Sequence, residues 1–181
     1  MKKYTILFLM GKDRPGIVDD VSTFLFEKGA NIEDSRMVVM GGCFSVMMLF
    51  SCGVAELENI RSSLDDLKSH GFEASLHEAQ APETVFDPHE SSLKISVTSM
   101  DHPGIVREVV RILRRYDVNI RSMNTGTGSA PLSGAPIFNM ALEGIVPGEK
   151  QTSLVKQDLT ALAVEMNMDL SFLSEVDDVK I

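Results

Sequence analysis

Two short segments hold the residue types best suited to gripping a small molecule. Asp13-Arg14-Pro15-Gly16-Ile17-Val18 returns as Asp101-His102-Pro103-Gly104-Ile105-Val106, with 88 residues from Asp13 to Asp101. In each, a carboxylate stands two residues before a Pro-Gly pair, and an apolar helical pattern comes next. A carboxylate there can accept N–H groups at the helix start, which makes it a cap. Equally, glycine lets the backbone approach a guest closely, and the first free helix N–H groups suit an α-carboxylate. The aspartate would then take the ammonium of the same molecule. Asn31 and Asn119 open the strand after each helix, and their amides can both donate and accept. Acid, amide and free N–H groups together fit a zwitterionic amino acid. Capping and ligand binding both remain open readings of Asp13 and Asp101.

The search for catalysis is negative. The four histidines, His70, His77, His89 and His102, share no metal-ligand spacing. Cys43 and Cys52 have opposite parity on one strand, hence opposite faces, and read as small hydrophobes rather than a pair. No nucleophile elbow, Walker loop or dinucleotide fingerprint occurs. Thr125 to Ser129 is glycine-rich but opens no helix, so it reads as a flexible loop in a hairpin. Neither a metal nor a cofactor is expected. Met37, Met40, Met47 and Met48 cluster in one hairpin; core gap-filling is favoured over a soft ligand surface. Arg107, Arg111, Arg114 and Arg115 share a helix face, whereas the counterparts in the first copy are Asp19, Thr23, Phe26 and Glu27. A solvated face is the default for such a stripe, with a partner or charge-matched packing as the alternative.

The elements that must position these loops repeat as well. At the same offset Val21 meets Val109, Leu25 meets Leu113, and Asn31-Ile32 meets Asn119-Ile120. Each copy reads as strand, helix, hairpin, helix, strand. Residues 4–10 and 93–99 are the first strands, and Pro15 and Pro103 are expected to open the helices. Hairpins follow at 31–40 with 43–51, around Gly41-Gly42, and at 119–126 with 136–143, joined by Thr127 to Ala135. Leu57, Ile60, Leu64 and Leu67 mark one second helix; Leu154, Val155, Leu159, Leu162 and Met166 mark the other. Strands at 72–77 and 169–174 close the units. The order βαββαβ, twice, predicts an α+β protein. It comprises two tandem ferredoxin-like units, each a four-stranded antiparallel sheet with two helices on one face. The expected boundaries are 1–80 for the first domain, 81–91 for an acidic, proline-bearing linker, and 92–181 for the second.

Composition narrows the classes further. The 181 residues carry a net charge of −9, from 17 basic and 26 acidic side chains. That balance argues against a surface that grips nucleic acid directly. Two cysteines and an apolar first segment that ends at Gly11-Lys12 point to a reducing cytoplasm, with no disulfide framework and no membrane span.

Strand, Asp-Arg-Pro-Gly-Ile-Val, helix, then Asn-Ile opening a strand resembles the ACT domain, a small βαββαβ regulatory module that often binds amino acids where two units meet. Two such units without a catalytic domain resemble the glycine cleavage system transcriptional repressor family, as does Ser-Gly-Ala-Pro-Ile-Phe at 133–138. The resemblance implies regulation through a DNA-binding protein partner, by a non-enzyme that answers to a small amino acid such as glycine or serine. It implies ligand contacts from Asp13 and Asn31 and from Asp101 and Asn119, with Pro15, Gly16, Pro103 and Gly104 as the loops; Ile17 and Ile105 follow these loops, and Ser99 adds to the second set a hydroxyl absent at Gly11. A homodimer fits this picture. A detached regulatory subunit of an amino-acid or one-carbon enzyme, or a dimerisation module without ligand, are the alternatives.

Overall fold

The computed structural model describes residues 2–82, 90–131 and 133–173. The chain divides into two compact units, Met1–Thr84 and Val85–Ile181. Most of the expected linker, 83–89, lies outside the described residues, as does Ser174. Glu90 and Ser91, expected in the linker, begin a strand instead.

The first unit runs β1 (Lys3–Lys12), α1 (Ile17–Glu27), β2 (Asn31–Met40), β3 (Cys43–Cys52), α2 (Val54–Ser62), α3 (Leu64–Ser69) and β4 (Glu73–Ala79). The second runs β5 (Glu90–Met100), α4 (Ile105–Arg115), β6 (Asn119–Ser129), β7 (Pro136–Pro147), α5 (Glu149–Glu165) and β8 (Asp169–Leu173). The sheet orders are β2-β3-β1-β4 and β6-β7-β5-β8, with every pairing antiparallel. This is the ferredoxin-like α+β arrangement. Even the register irregularities repeat, between Ile32 and Asp34 and between Ile120 and Ser122.

Alternation builds the cores. Leu7 and Leu9 of β1, with Phe44, Val46, Met48 and Phe50 of β3, point under the helices, where Ile17, Val21, Phe24 and Leu25 meet them. In the second unit Leu93, Ile95 and Val97, with Phe138, Met140 and Leu142, meet Ile105, Val109, Ile112 and Leu113. On the other face of the first sheet Phe8 lies opposite Met47, and both are exposed.

Several expectations are corrected. The second helix of the first unit is two helices joined at Ser63. Leu57, Ile60, Leu64 and Leu67 keep helical phase across the joint, so their spacing could not reveal it. Thr125 to Ser129 is no flexible loop: it belongs to β6 and pairs with Pro136 to Met140. The connection shrinks to 130–135. Met37, Met40 and Met47 do not fill the core; they are exposed, and only Met48 of that cluster is buried. Strand β2 is an edge strand, and on β3 Met47 alternates with buried Val46 and Met48 and so takes the opposite face of the sheet. Cys43 is exposed and Cys52 buried, as parity requires, and burial pushes the Cys52 thiol up. No helix among the described residues is long and apolar enough to cross a membrane, and none of their side chains cluster to hold a metal.

Candidate functional site

The Pro-Gly loops are turns ahead of the helices rather than their first residues, which corrects the expected placement of Pro15 and Pro103. Gly16 (φ 87°, ψ −2°) and Gly104 (φ 105°, ψ −13°) are the N-caps, in left-handed conformation. Proline then glycine at these angles resembles a type II turn, in which the third residue needs positive φ. Ile17 and Ile105 drive into the cores and anchor the first turns of α1 and α4. The backbone N–H of Asp13 donates to Gly42, and that of Asp101 to Pro136, both at 3.0 Å. These bonds pin each loop to the end of its neighbouring hairpin.

Among the described residues no side chain caps either helix. Asp13 and Asp101 therefore do not satisfy the helix N–H groups, and the capping reading of these carboxylates loses its geometric basis. The N–H groups of the first helical residues have no carbonyl four residues back. The carboxylates stand exposed beside them.

The two loops differ in what surrounds them. In the first unit Arg14 bonds Asp20 at 2.5 Å and lies 5.4 Å over the ring of Phe72. Phe72 in turn covers Gly11, where a Cβ would come within 2.6 Å of its ring. The loop is filled and tied down. In the second unit His102 replaces Arg14, and Ser99 replaces Gly11. Ser99 is buried and donates to the Met100 carbonyl at 2.9 Å, so its hydroxyl is occupied. A cavity of about 720 Å³ opens beside this loop and along α4. Ile105, Val106, Val110 and Phe138 give it apolar walls, and Asp101, His102, Arg107, Arg111 and Arg114 supply its polar groups.

These arginines are exposed, as a solvated face requires, and what sequence reasoning missed is that three of the four also line this cavity. Arg107, Arg111 and Arg114 line the cavity, while Arg115 turns away to bond Asp158 of α5 at 2.8 Å. The Tyr116 hydroxyl donates to the same carboxylate, which pushes the tyrosine's pKa up. The available signal was the broken symmetry between copies: Asp19, Thr23 and Phe26 stand where the second unit has Arg107, Arg111 and Arg114.

The asparagines lie elsewhere. Asn31 pairs across Ser51, level with Tyr4 at the start of β1, whereas Asp13 follows the end of that strand. At roughly 3.3 Å per residue, about 30 Å of strand separates Asn31 from Asp13. Asn119 and Asp101 are related in the same way, because Asn119 faces Ile145 while Asp101 bonds Pro136. Within one unit, acid and amide do not converge. Glu33, near Asn31, is held ionised: the Ser51 hydroxyl at 2.5 Å, Lys2 and the Asn31 amide push its pKa down to about 2.

Chemically, the second unit offers a concave, part-apolar site with fixed charges of both signs and no activated nucleophile among the described residues. It can bind and orient.

Comparison with known proteins agrees with this picture. A family model of the ACT domain matches residues 3–77. The glycine cleavage system transcriptional repressor of Escherichia coli is 25% identical over 164 residues, covering 91% of this chain and 86% of the relative. A UPF0237 protein of Clostridium acetobutylicum is 35% identical over 63 residues, 34% of this chain and 71% of that protein. Among solved structures, an unknown protein from Galdieria sulphuraria superposes with a TM-score of 0.82 at 29% identity, covering 95% of this chain and 98% of that one. A structure described provisionally as a glycine cleavage system transcriptional repressor gives 0.67 at 19% identity, covering 96% and 97%, and shares the fold.

Proposed function

Since this chain is a tandem ACT-domain protein, we propose that it is a non-catalytic regulator that senses a small amino acid and passes the signal to a DNA-binding protein partner. The repressor relationship supports a regulatory role. The observation that carries the sensing role is local: in the second unit a helix start and an Asp101 carboxylate, neither with a side-chain partner among the described residues, face a cavity of about 720 Å³. Loop N–H groups would take the ligand's α-carboxylate, and Asp101 its ammonium. Asn119 can contribute only from a second copy of the chain, given its place at the far end of the strand.

The bound amino acid acts by favouring one state of the protein over another. A bias of about 1–3 kcal/mol suffices for a regulatory response. The net charge of −9 leaves DNA contact to the partner.

Calorimetric titration of the whole chain with glycine, L-serine and a wider amino-acid panel tests the reading. Replacing Asp101 by Ala should weaken binding ten-fold or more, by roughly 1.5–3 kcal/mol for a lost charge-assisted bond. Urea midpoints should barely move, by less than about 0.5 kcal/mol, since no cap bond is lost. Asp13→Ala should leave binding intact. Absence of binding at millimolar concentration, or binding indifferent to Asp101, would defeat the proposal.

A further inference from the structure

Resting on that sensing role, we infer that the cavity beside α4 receives an amino acid whose side chain carries a second anionic group. Asp101 faces the ammonium end of this ligand, and Arg114, supported by Arg111, faces its acidic end.

Size is the first argument. About 720 Å³ falls in the usual range for small-ligand cavities. The room admits an amino acid with a longer side chain as readily as glycine or serine. Charge is the second. Arg107, Arg111 and Arg114 outnumber the carboxylates of this cavity, of which Asp101 is the one lining it among the described residues. Glu108 partly neutralises two of them, through Arg107 at 2.9 Å and Arg111 at 2.6 Å. Arg114 has no anionic partner among the described residues. An unmatched guanidinium beside apolar walls of Val110 and Phe138 favours an anion that supplies the missing charge and leaves water behind.

Placement is the third. On a helix rising 1.5 Å per residue, Arg111 and Arg114 stand about 9 and 13 Å along the axis from Ile105, and Cβ directions tilt their side chains back toward the N-terminal loop. This tilt inclines both side chains toward the end where Asp101 sits. A ligand with ammonium at one end and an acid at the other bridges these charges in one orientation only. The first unit lacks this arrangement, because Asp19, Thr23 and Phe26 replace Arg107, Arg111 and Arg114. The cavity beside α1 lies toward α3 and is not lined by the Asp13 to Ile17 loop.

The test is calorimetric titration of the full chain with L-glutamate, L-aspartate and O-phospho-L-serine, each beside its uncharged counterpart: L-glutamine, L-asparagine and L-serine. At least one acidic member should bind about ten-fold or more tightly than its counterpart, the gain of a charge-assisted contact. Arg114→Gln should erase that preference with no change in the melting curve, since Arg114 is exposed and unpaired among the described residues. Uncharged ligands that bind as tightly as the acidic ones, with sensitivity to Asp101→Ala, would overturn this inference and leave the sensing role standing. An acidic preference that survives Arg114→Gln would overturn the placement. No binding by any of the six would overturn both.

Discussion

Replacing Gly104 by Ala should strain one turn without crowding anything. The residue holds φ 105° and ψ −13°, and a Cβ built there meets no atom within 4 Å. The cost is therefore confined to the backbone, about 1–2 kcal/mol for an L-residue forced into left-handed space. Part is offset because alanine restricts the unfolded chain, worth about 0.4–1 kcal/mol. A net loss of about 1 kcal/mol remains, roughly a five-fold fall in the folding equilibrium. Gly134→Ala is the control, with φ 70° and equally open surroundings, in the connection between β6 and β7. Both variants should lose similar stability in urea, followed by circular dichroism and by hydrogen exchange in the strands of the second unit. Only Gly104→Ala should weaken amino-acid binding, because only that turn shapes the loop beside Asp101. Full stability in Gly104→Ala, or equal loss of binding in both variants, would refute the turn's assigned part in the site.

Three further outcomes concern the first unit. Gly11→Ala should cost about 1–3 kcal/mol through overpacking, because its Cβ would lie 2.6 Å from the buried Phe72 ring; an unchanged urea midpoint would contradict that packing. Thr5→Val should stabilise by about 1 kcal/mol, since the buried Thr5 hydroxyl has no partner among the described residues, and thermal melts read this directly. Glu33, with its pKa pushed down to about 2, contributes stability that is present above the ordinary carboxylate range and lost as pH falls through that range toward 2. Glu33→Gln should flatten that part of the stability profile between pH 5 and 2, measured as urea midpoints against pH.

Much of the fold was legible because the signals were local and occurred twice. The 88-residue repeat aligned Gly16 with Gly104 and Leu25 with Leu113, and Gly41-Gly42 placed the first hairpin turn. What escaped depended on neighbours distant in sequence. Gly126 and Gly128 join β6 because the β7 backbone supplies their partners, a fact no window around them contains. Met37 and Met40 lie on an edge strand with little to bury them, and that depends on sheet order. The site was half-legible. The loops were found from Asp, Pro and Gly spacing, but the joint roles of Asp13 with Asn31 and of Asp101 with Asn119 dissolve once strand direction puts them at opposite ends. Arg107, Arg111 and Arg114 were visible as a stripe. That these exposed side chains also line a cavity depends on Phe138 arriving from β7.

The central claim is that the second unit's loop, and not the first's, takes the ligand. Amide NMR spectra of the labelled full chain, titrated with glycine, L-serine and L-glutamate, test it most directly. For an amino acid that binds, the amides of Gly104 to Arg107 should shift in proportion to occupancy, while those of Gly16 to Asp19 stay fixed. Shifts confined to Gly16 to Asp19, or none in either loop at millimolar ligand, would contradict the account.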